Sequence, residues 1–216
     1  MPTGQATRRE AKPSKSPSLR ERQHEQTRHL ILDALVDQLA ETGAFDYSAF
    51  ELARRANVSV RTIYRHFPDR DALLAAMSRR VNERIGLYDL PSEVGQLPEA
   101  ARILFRKFDE HPALITAQIT TSAGGQVRSH GRKDRIARIR QAVDALAPDL
   151  DPVTRQARAA ILACLMSANS WQRMREEFGM NGAASGDALA WALEQLQQAI
   201  ADENRNARGR KRKETR

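Results

Sequence analysis

The stretch SVRTIYRHF, which begins at Ser59, carries several hydrogen-bond donors at helical spacing. At about 100° per residue, Ile63 and Phe67 share an inner face, and Arg61 and Arg65 lie almost opposite Ile63. Two like charges four residues apart destabilise an isolated helix, so this pair favours a partner with dense negative charge. Guanidinium groups bind phosphates and guanine edges in bidentate fashion, and a hydroxyl and a phenol flank them here. This face is therefore suited to the major groove of a nucleic-acid duplex.

Two short helices joined by a tight turn are predicted to position this face. Ser48 and Ser59 are the predicted N-caps, and Glu51 completes a capping box with Ser48. Asn57 lies at the turn, where a left-handed backbone costs Asn less than most residues. Pro68 ends the second helix, because the residue before a proline is disfavoured in the helical region. The apolar face of the first helix consists of Leu52, Ala53 and Ala56.

The stretch LARRANVSVRTIYRHFPDRDALL resembles the DNA-binding signature of the TetR family of one-component bacterial transcriptional regulators. The shared pattern is a small residue, a V-S step, a T-[IL]-Y run and an [HY]-F-x-x-[KR] run, and the likeness spans residues 28–80. Asn57 departs from it, since many members carry Gly there. The resemblance implies an all-α fold with an N-terminal three-helix helix-turn-helix head and a C-terminal helical body for ligand binding and dimerisation.

The family pattern also implies DNA-contacting roles for individual residues. Thr62, Tyr64 and His66 correspond to base or backbone contacts, and Arg70 to a phosphate contact at the start of the next helix, which Asp69 can cap. The full predicted DNA-binding set is Ser48, Val60, Arg61, Thr62, Tyr64, Arg65, His66 and Arg70. Two heads on a two-fold axis are expected to bind a palindromic operator in double-stranded DNA, with half-sites about 34–36 Å apart.

The charge distribution separates the chain ends from the rest. The net charge of +8 comes from residues 1–20, which carry +4, and residues 204–216, which carry +6, so the remainder carries −2. Within this mildly acidic remainder, residues 47–80 carry a local +4. Both ends are poor in apolar residues and are predicted to be disordered. They either add non-specific affinity for DNA phosphates or are merely solvated, and both interpretations stay open.

Four segments are predicted along the chain. They are a disordered basic tail (1–17), a helix-turn-helix DNA-binding domain with a connecting helix (18–86), a helical ligand-binding and dimerisation domain (98–203) and a second disordered basic tail (204–216). Ser18 and Glu21 are expected to form a capping box at the first long helix, which Gly43 ends. Its inward stripe is predicted as Leu30, Ile31, Ala34, Leu35 and Leu39, with Phe45 and Tyr47 filling the corner behind it.

The body is predicted to be helical throughout. One helix starts at Pro98, and a second runs from Pro112 until Gly124 and Gly125 end it. A half-exposed helix follows around residues 133–146. The final pair, a long helix from Pro152 to near Gly179 and a helix at residues 186–202, is rich in apolar surface. We expect this pair to form a four-helix bundle with its copy in a homodimer, unless it only completes one subunit's core.

A small-molecule effector is expected in the body. The candidate ligand-binding residues are Phe105, Phe108, Ile119, Thr120, Leu165 and Trp171, each of which could instead be plain core. The scarcity of charge in these stripes predicts a hydrophobic ligand. The resemblance implies the function of a repressor that such a ligand releases from its operator. The alternative is an architectural or ligand-independent DNA-binding protein.

Other classes of function find little support in the sequence. No apolar run approaches the ~20 residues that span a bilayer, so we predict a cytoplasmic protein without membrane contact. Cys164 is the single cysteine, which rules out an intrachain disulfide, and it is expected to be buried. The five histidines are scattered, and neither a phosphate-binding glycine loop nor a nucleophile elbow occurs. We therefore predict no enzyme activity, no metal site and no cofactor.

Overall fold

The computed structural model describes residues 18–42, 48–87, 91 and 93–214 of the chain. Within these ranges it contains ten α-helices, a 3-10 turn at Val94–Gln96 and no strand, so the predicted all-α class is confirmed. The helices are α1 (Leu19–Thr42), α2 (Ala49–Arg55), α3 (Val60–His66), α4 (Arg70–Ile85), α5 (Leu97–Glu110), α6 (Pro112–Thr120), α7 (Ser122–Leu146), α8 (Pro152–Leu165), α9 (Ala168–Phe178) and α10 (Gly182–Glu214). No helix in the described part of the chain is long and apolar enough to cross a membrane.

The helix starts of the N-terminal part follow local sequence signals. Ser18 N donates to Glu21 Oε2 at 2.6 Å and Ser18 Oγ accepts from Glu21 N at 3.3 Å, so this capping box is confirmed. Ser48 Oγ accepts from the backbone N of Glu51 at 3.0 Å. The Glu51 carboxylate accepts from Arg54 at 3.0 Å. Asn57 has φ of 52°, the left-handed conformation expected at the turn between α2 and α3.

The inner faces of α1 to α4 pack into one core. Its fully buried side chains include Ile31, Leu35, Leu39, Leu52, Leu73 and Met77. Leu30, which was predicted to face inward, is 50% exposed, because the buried stripe of α1 runs through its neighbour Ile31 instead. The predictions for Gly43, Phe45 and Tyr47 concern residues outside the described ranges.

An aspartate holds the body helices together. Asp109 on α5 accepts hydrogen bonds from Trp171 Nε1 at 2.8 Å, from Arg175 at 3.1 Å and from the backbone N of Gly182. The Trp171 ring is buried and lies edge-on to Phe108, with 5.8 Å between the ring centroids. One carboxylate thus connects α5 to α9 and to the start of α10, and it accepts from the buried indole N–H of Trp171.

Two predicted helix boundaries in the body and the predicted burial of Cys164 are wrong. Gly124 and Gly125 lie in the first turns of α7, where Thr121 Oγ1 accepts from Gly124 N at 3.0 Å. The predicted long helix from Pro152 is two helices, because α8 ends at Leu165, with Met166 as its C-cap, and Ser167 caps α9. Cys164 is exposed, not buried.

Residues 204–214 are helical, so the predicted disorder of the C-terminal tail is wrong for this segment. Arginine and lysine are good helix formers, and the basic residues in the last turn interact favourably with the helix dipole. Tertiary contacts also hold the helix: Asn204 Oδ1 accepts from Asp149 N at 2.8 Å, and Lys211 lies 3.7 Å from the Asp149 carboxylate. Amino-acid composition cannot show that this helix packs against another part of the chain.

Contacts between α4 and α7 connect the N-terminal helices to the body. Gly131 of α7 lies so close to α4 that an added Cβ would be 3.2 Å from Ser78 Oγ. His130 Nε2 lies 3.4 Å from Asp71 Oδ1 near the start of α4. The two helices therefore touch along several turns.

Candidate nucleic-acid interface and body cavity

The outward face of α3 holds exposed donors. The side chains of Arg61, Tyr64 and Arg65 are exposed, with Tyr64 at 59%. None of the three makes a hydrogen bond or ion pair to another residue in the described ranges. Other arginines of the head have carboxylate partners within 4.0 Å, namely Arg54, Arg55, Arg80 and Arg84. The two arginines of α3 are thus available to an external anion.

Neighbouring predicted site residues hold the ends of the helices. Ser59 Oγ accepts from Thr62 N at 3.1 Å and lies 2.8 Å from Thr62 Oγ1, so the Thr62 hydroxyl is held at the first turn of α3. Ser48 is exposed at the N-cap of α2. Val60 is half-buried and packs against the core. Ser48, Val60 and Thr62 therefore contribute few free donors to the exposed face of α3.

Arg70 lies at the first position of α4, next to its capping residue. Asp69 Oδ1 accepts from Ala72 N at 2.7 Å, as predicted. The Arg70 guanidinium donates to Gln126 Oε1 on α7 at 3.2 Å. A DNA phosphate at this helix start would therefore compete with a contact to the body, which the sequence did not indicate.

His66 is the predicted site residue that the structure does not bring to the exposed face. The residue is 5% exposed, and its ring centroid lies 4.1 Å from that of His24. Both ring nitrogens are buried without a hydrogen-bond partner among the described residues. Three residues after Ile63, position 66 falls on the inner side of α3, so the predicted side-chain contact to DNA is corrected. Burial lowers the pKa of His66, with further lowering from His24 and Arg65.

The lowered pKa of His66 is expected to make the protein less stable as the pH falls. The unfolded chain takes up a proton near the ordinary histidine pKa of about 6.5, whereas folded His66 resists protonation. The unfolded state therefore binds more protons as the pH falls below that value, and folding loses free energy. We expect His66→Phe to lose less stability than the wild type between pH 7.5 and 5.5 in urea denaturation. Equal losses in both proteins would contradict this assignment.

A cavity of about 410 Å³ lies where α4, α5, α6 and α7 meet. Its apolar wall includes Val81, Leu104, Phe108 and Ile115. Its other wall is cationic and is formed largely by α7, with Arg128, Arg132, Arg135 and Arg138, and by Arg79 of α4. Two further grooves are each lined by a single helix, α1 or α7, and do not enclose a ligand.

Most of the six predicted ligand-binding residues do not line this cavity. Phe108 lines it, and the other five do not. Phe105 and Trp171 are buried in the core, Ile119 and Leu165 pack against the core, and Thr120 is exposed with its hydroxyl bonded to Thr116 O. Apolar type alone does not separate a core position from a cavity wall. The available signal was the spacing of Arg128, Arg132 and Arg135, which places three cations on one face of α7.

Comparisons with known proteins agree with this architecture. A family model for bacterial regulatory proteins of the tetR family matches residues 31–77. An uncharacterized HTH-type transcriptional regulator of Mycobacterium tuberculosis, Rv1255c, is 31% identical over 138 residues, which are 60% of this chain and 67% of the relative.

Two solved structures share the fold. Native NalD, the secondary repressor of the MexAB-OprM multidrug efflux pump in Pseudomonas aeruginosa, aligns with a TM-score of 0.58 at 15% identity over 81% of this chain and 96% of that chain. A tetR-family transcriptional regulator from Streptomyces coelicolor aligns with a TM-score of 0.59 at 15% identity over 86% of each chain.

The helix-turn-helix of α2 and α3, with the helical body behind it, defines a DNA-binding transcriptional regulator. The chain belongs to the TetR family of bacterial regulatory proteins.

Proposed function

We propose that this regulator is a cytoplasmic, homodimeric repressor that binds a palindromic operator and leaves it when a small molecule occupies the body. The observation that carries the proposal is the exposed face of α3, where Arg61, Tyr64 and Arg65 have no partner in the described chain. Such donors are the groups that read base edges and phosphates in a major groove. We assign the chain no catalytic role.

The proposed interface extends beyond this face. Thr62 and Ser48, at the first turns of α3 and α2, are proposed to contact phosphates, and Val60 to pack against the DNA backbone. Arg70 is proposed to exchange its hydrogen bond with Gln126 for a phosphate oxygen. We propose 18–86 as the DNA-binding domain and 98–203 as the minimum extent of the body. The cavity lies at their contact, because α4 lines it from the side of the head.

Selection of genomic fragments by the purified protein tests the regulator proposal. We expect the bound fragments to share an inverted repeat whose half-sites lie about one helical turn apart. A reporter under the selected promoter then shows the direction of control, and we expect expression to fall when the regulator is present. Binding without any shared sequence would favour an architectural role instead. A reporter whose expression rises would overturn repression but leave operator binding intact.

The proposed dimer uses the exposed apolar faces of α8 and α10. On α8, Val153 is 77% and Ile161 is 43% exposed, and the exposed Cys164 follows at helical spacing. On α10, Trp191 is 66% exposed although it is a large aromatic residue. Large apolar side chains that remain exposed in one subunit are typical of an interface. A second copy related by a two-fold axis would cover the same residues on both chains.

Charged side chains at this surface are expected to separate the dimer. We predict that Ile161→Asp combined with Trp191→Glu yields a monomer at micromolar concentration in sedimentation equilibrium, because each change repeats twice in a two-fold interface. Phe50→Glu is the matched control, since Phe50 on α2 is also exposed, at 74%, but lies outside α8 and α10. A wild-type protein that already sediments as a monomer would refute the dimer.

A further inference from the structure

Two arginines on α7 face the body cavity without a compensating charge among the described residues. Arg128 and Arg135 are half-buried, line the cavity, and have buried Nε atoms that find no hydrogen-bond partner in the described ranges. Neither has a carboxylate within 4.0 Å in the part of the chain that the structure describes. Within the described residues Arg128 makes one hydrogen bond, a long one in which its Nη1 donates to Asn169 Oδ1 at 3.5 Å. Both guanidinium groups therefore retain donors that the protein does not use.

Elsewhere the same chain compensates its half-buried arginines. Arg80 holds Asp33 through two hydrogen bonds of 2.8 Å, and Arg158 holds Glu203 through bonds of 2.9 and 2.7 Å. These carboxylates raise the pKa of Arg80 and of Arg158. Burial instead lowers the pKa of Arg128 and Arg135, and nearby arginines lower it further. An unpaired, desolvated cation is unfavourable in the folded state, so an anion from outside would be strongly preferred there.

A third donor reaches the cavity from another helix. Gln118 on α6 is only 8% exposed, and its Nε2 has no hydrogen-bond partner in the part of the chain that the structure describes. A buried amide donor without an acceptor is rare in folded proteins and indicates a missing partner. Asp134, the one carboxylate among the lining residues, is exposed and makes no ion pair with a described residue. Arg128, Arg135 and Gln118 therefore offer the cavity donors that no acceptor among the described residues uses.

The opposite wall is apolar. Leu104, Phe108 and Ile115 are buried side chains that line the cavity from α5 and α6. A volume of about 410 Å³ is within the range of small-molecule sites. A bare inorganic anion would leave this wall without contact, and a neutral hydrocarbon would leave the guanidinium groups unpaired.

We propose that the ligand of this cavity is a small amphipathic organic anion. Its oxyanion binds Arg128, Arg135 and the Gln118 amide, and its apolar part lies against Leu104, Phe108 and Ile115. This inference rests on the proposed function only in placing the ligand in this cavity, and it replaces the hydrophobic ligand that the sequence predicted. The arginines select the charged end of the ligand, and the phenyl and aliphatic side chains select its apolar part.

Calorimetric titration of the full-length protein without DNA tests the proposal. The probes are straight-chain carboxylates from hexanoate to dodecanoate and 1-naphthoate, with decan-1-ol and inorganic phosphate as comparisons. We expect at least one carboxylate to bind, and decan-1-ol and phosphate to bind far more weakly. Arg128→Gln and Arg135→Gln should each weaken carboxylate binding about 10- to 100-fold, the loss expected for a hydrogen bond to a charged group. Arg140→Gln is the matched control, since Arg140 is exposed on the same helix and does not line this cavity.

The outcomes separate this proposal from the proposed regulator. Failure of every carboxylate to bind, equal binding of decan-1-ol, or saturation by phosphate alone overturns the amphipathic anion. A loss with Arg140→Gln as large as that with Arg135→Gln also overturns it. Circular dichroism establishes that each variant is folded, and Arg135→Lys, which keeps the charge, should recover part of the affinity. Carboxylate binding without release of operator DNA would support the site and contradict ligand-controlled release.

Discussion

Replacing Arg61 and Arg65 by alanine is expected to abolish sequence-specific binding to the operator. Each exposed guanidinium can form a bidentate contact with a guanine edge, and each such contact contributes about 1–3 kcal/mol of discrimination. A two-fold dimer carries both residues twice, so the double variant loses four contacts at a palindrome. Fluorescence anisotropy with the selected operator and with a scrambled duplex measures the loss. We expect affinity for the operator to fall to the level of the scrambled sequence.

The control for this experiment is Arg173→Ala, which removes an exposed charge from α9 in the body. It should leave operator affinity nearly unchanged at about 0.15 M salt, where charges beyond ~8 Å are largely screened. The α3 double variant should also keep its thermal stability, because both side chains are exposed. Operator affinity that survived the double substitution in a folded protein would remove the basis of the proposed interface.

Alanine at Gly124 is expected to destabilise the protein strongly, while alanine at the adjacent Gly125 is not. A Cβ at Gly124 would collide with the backbone of Ala117 and Gln118 on α6, and backbone atoms cannot rotate away. A Cβ at Gly125 would meet nothing within 4 Å. We expect Gly124→Ala to cost on the order of 3 kcal/mol through forced separation of α6 and α7. Gly125→Ala should instead stabilise α7 by roughly 0.5–1 kcal/mol, since alanine is the better helix former.

Urea denaturation of the two variants at equal protein concentration measures these effects. The pair is closely matched, because both changes add one methyl group to a glycine in the same turn of α7. Similar effects at both positions would mean that α6 and α7 are not in the close contact described. Gln118 lies on α6, and Arg128 and Arg135 lie on α7. Separation of these helices in Gly124→Ala should therefore also lower the affinity of the cavity for its ligand.

The helix-turn-helix could be predicted almost completely from sequence because its determinants are local. The caps at Ser48, Ser59 and Asp69 lie within three residues of the N–H groups that they bind. The turn at Asn57 depends on the conformational range of one residue. The outward direction of Arg61 and Arg65 follows from helical periodicity once Ile63 is assigned to the core. Each of these features depends on residues that are neighbours along the chain and not on how distant helices pack.

The cavity could not be predicted in the same way, because its walls come from residues far apart in sequence. Phe105 and Phe108 are the same type of residue on the same helix. Phe105 is nevertheless enclosed by the core, whereas Phe108 borders the cavity. The arginines of α7 resembled an exposed helix face, since periodicity cannot show that α4 covers them. His66 was misplaced for a related reason: its burial depends on α1, which brings His24 against it.

Local sequence signals specify the helical class, the boundaries of the DNA-binding helices and the arginines that α3 presents outward. These properties depend on dihedral preferences, caps and the 3.6-residue period, which act over a few residues. The tertiary structure alone decided which apolar residues are core, which cations lie unpaired beside a cavity, and that residues 204–214 form helix against the body. Those properties depend on desolvation and on contacts between distant segments, and no local pattern encodes where another helix will pack.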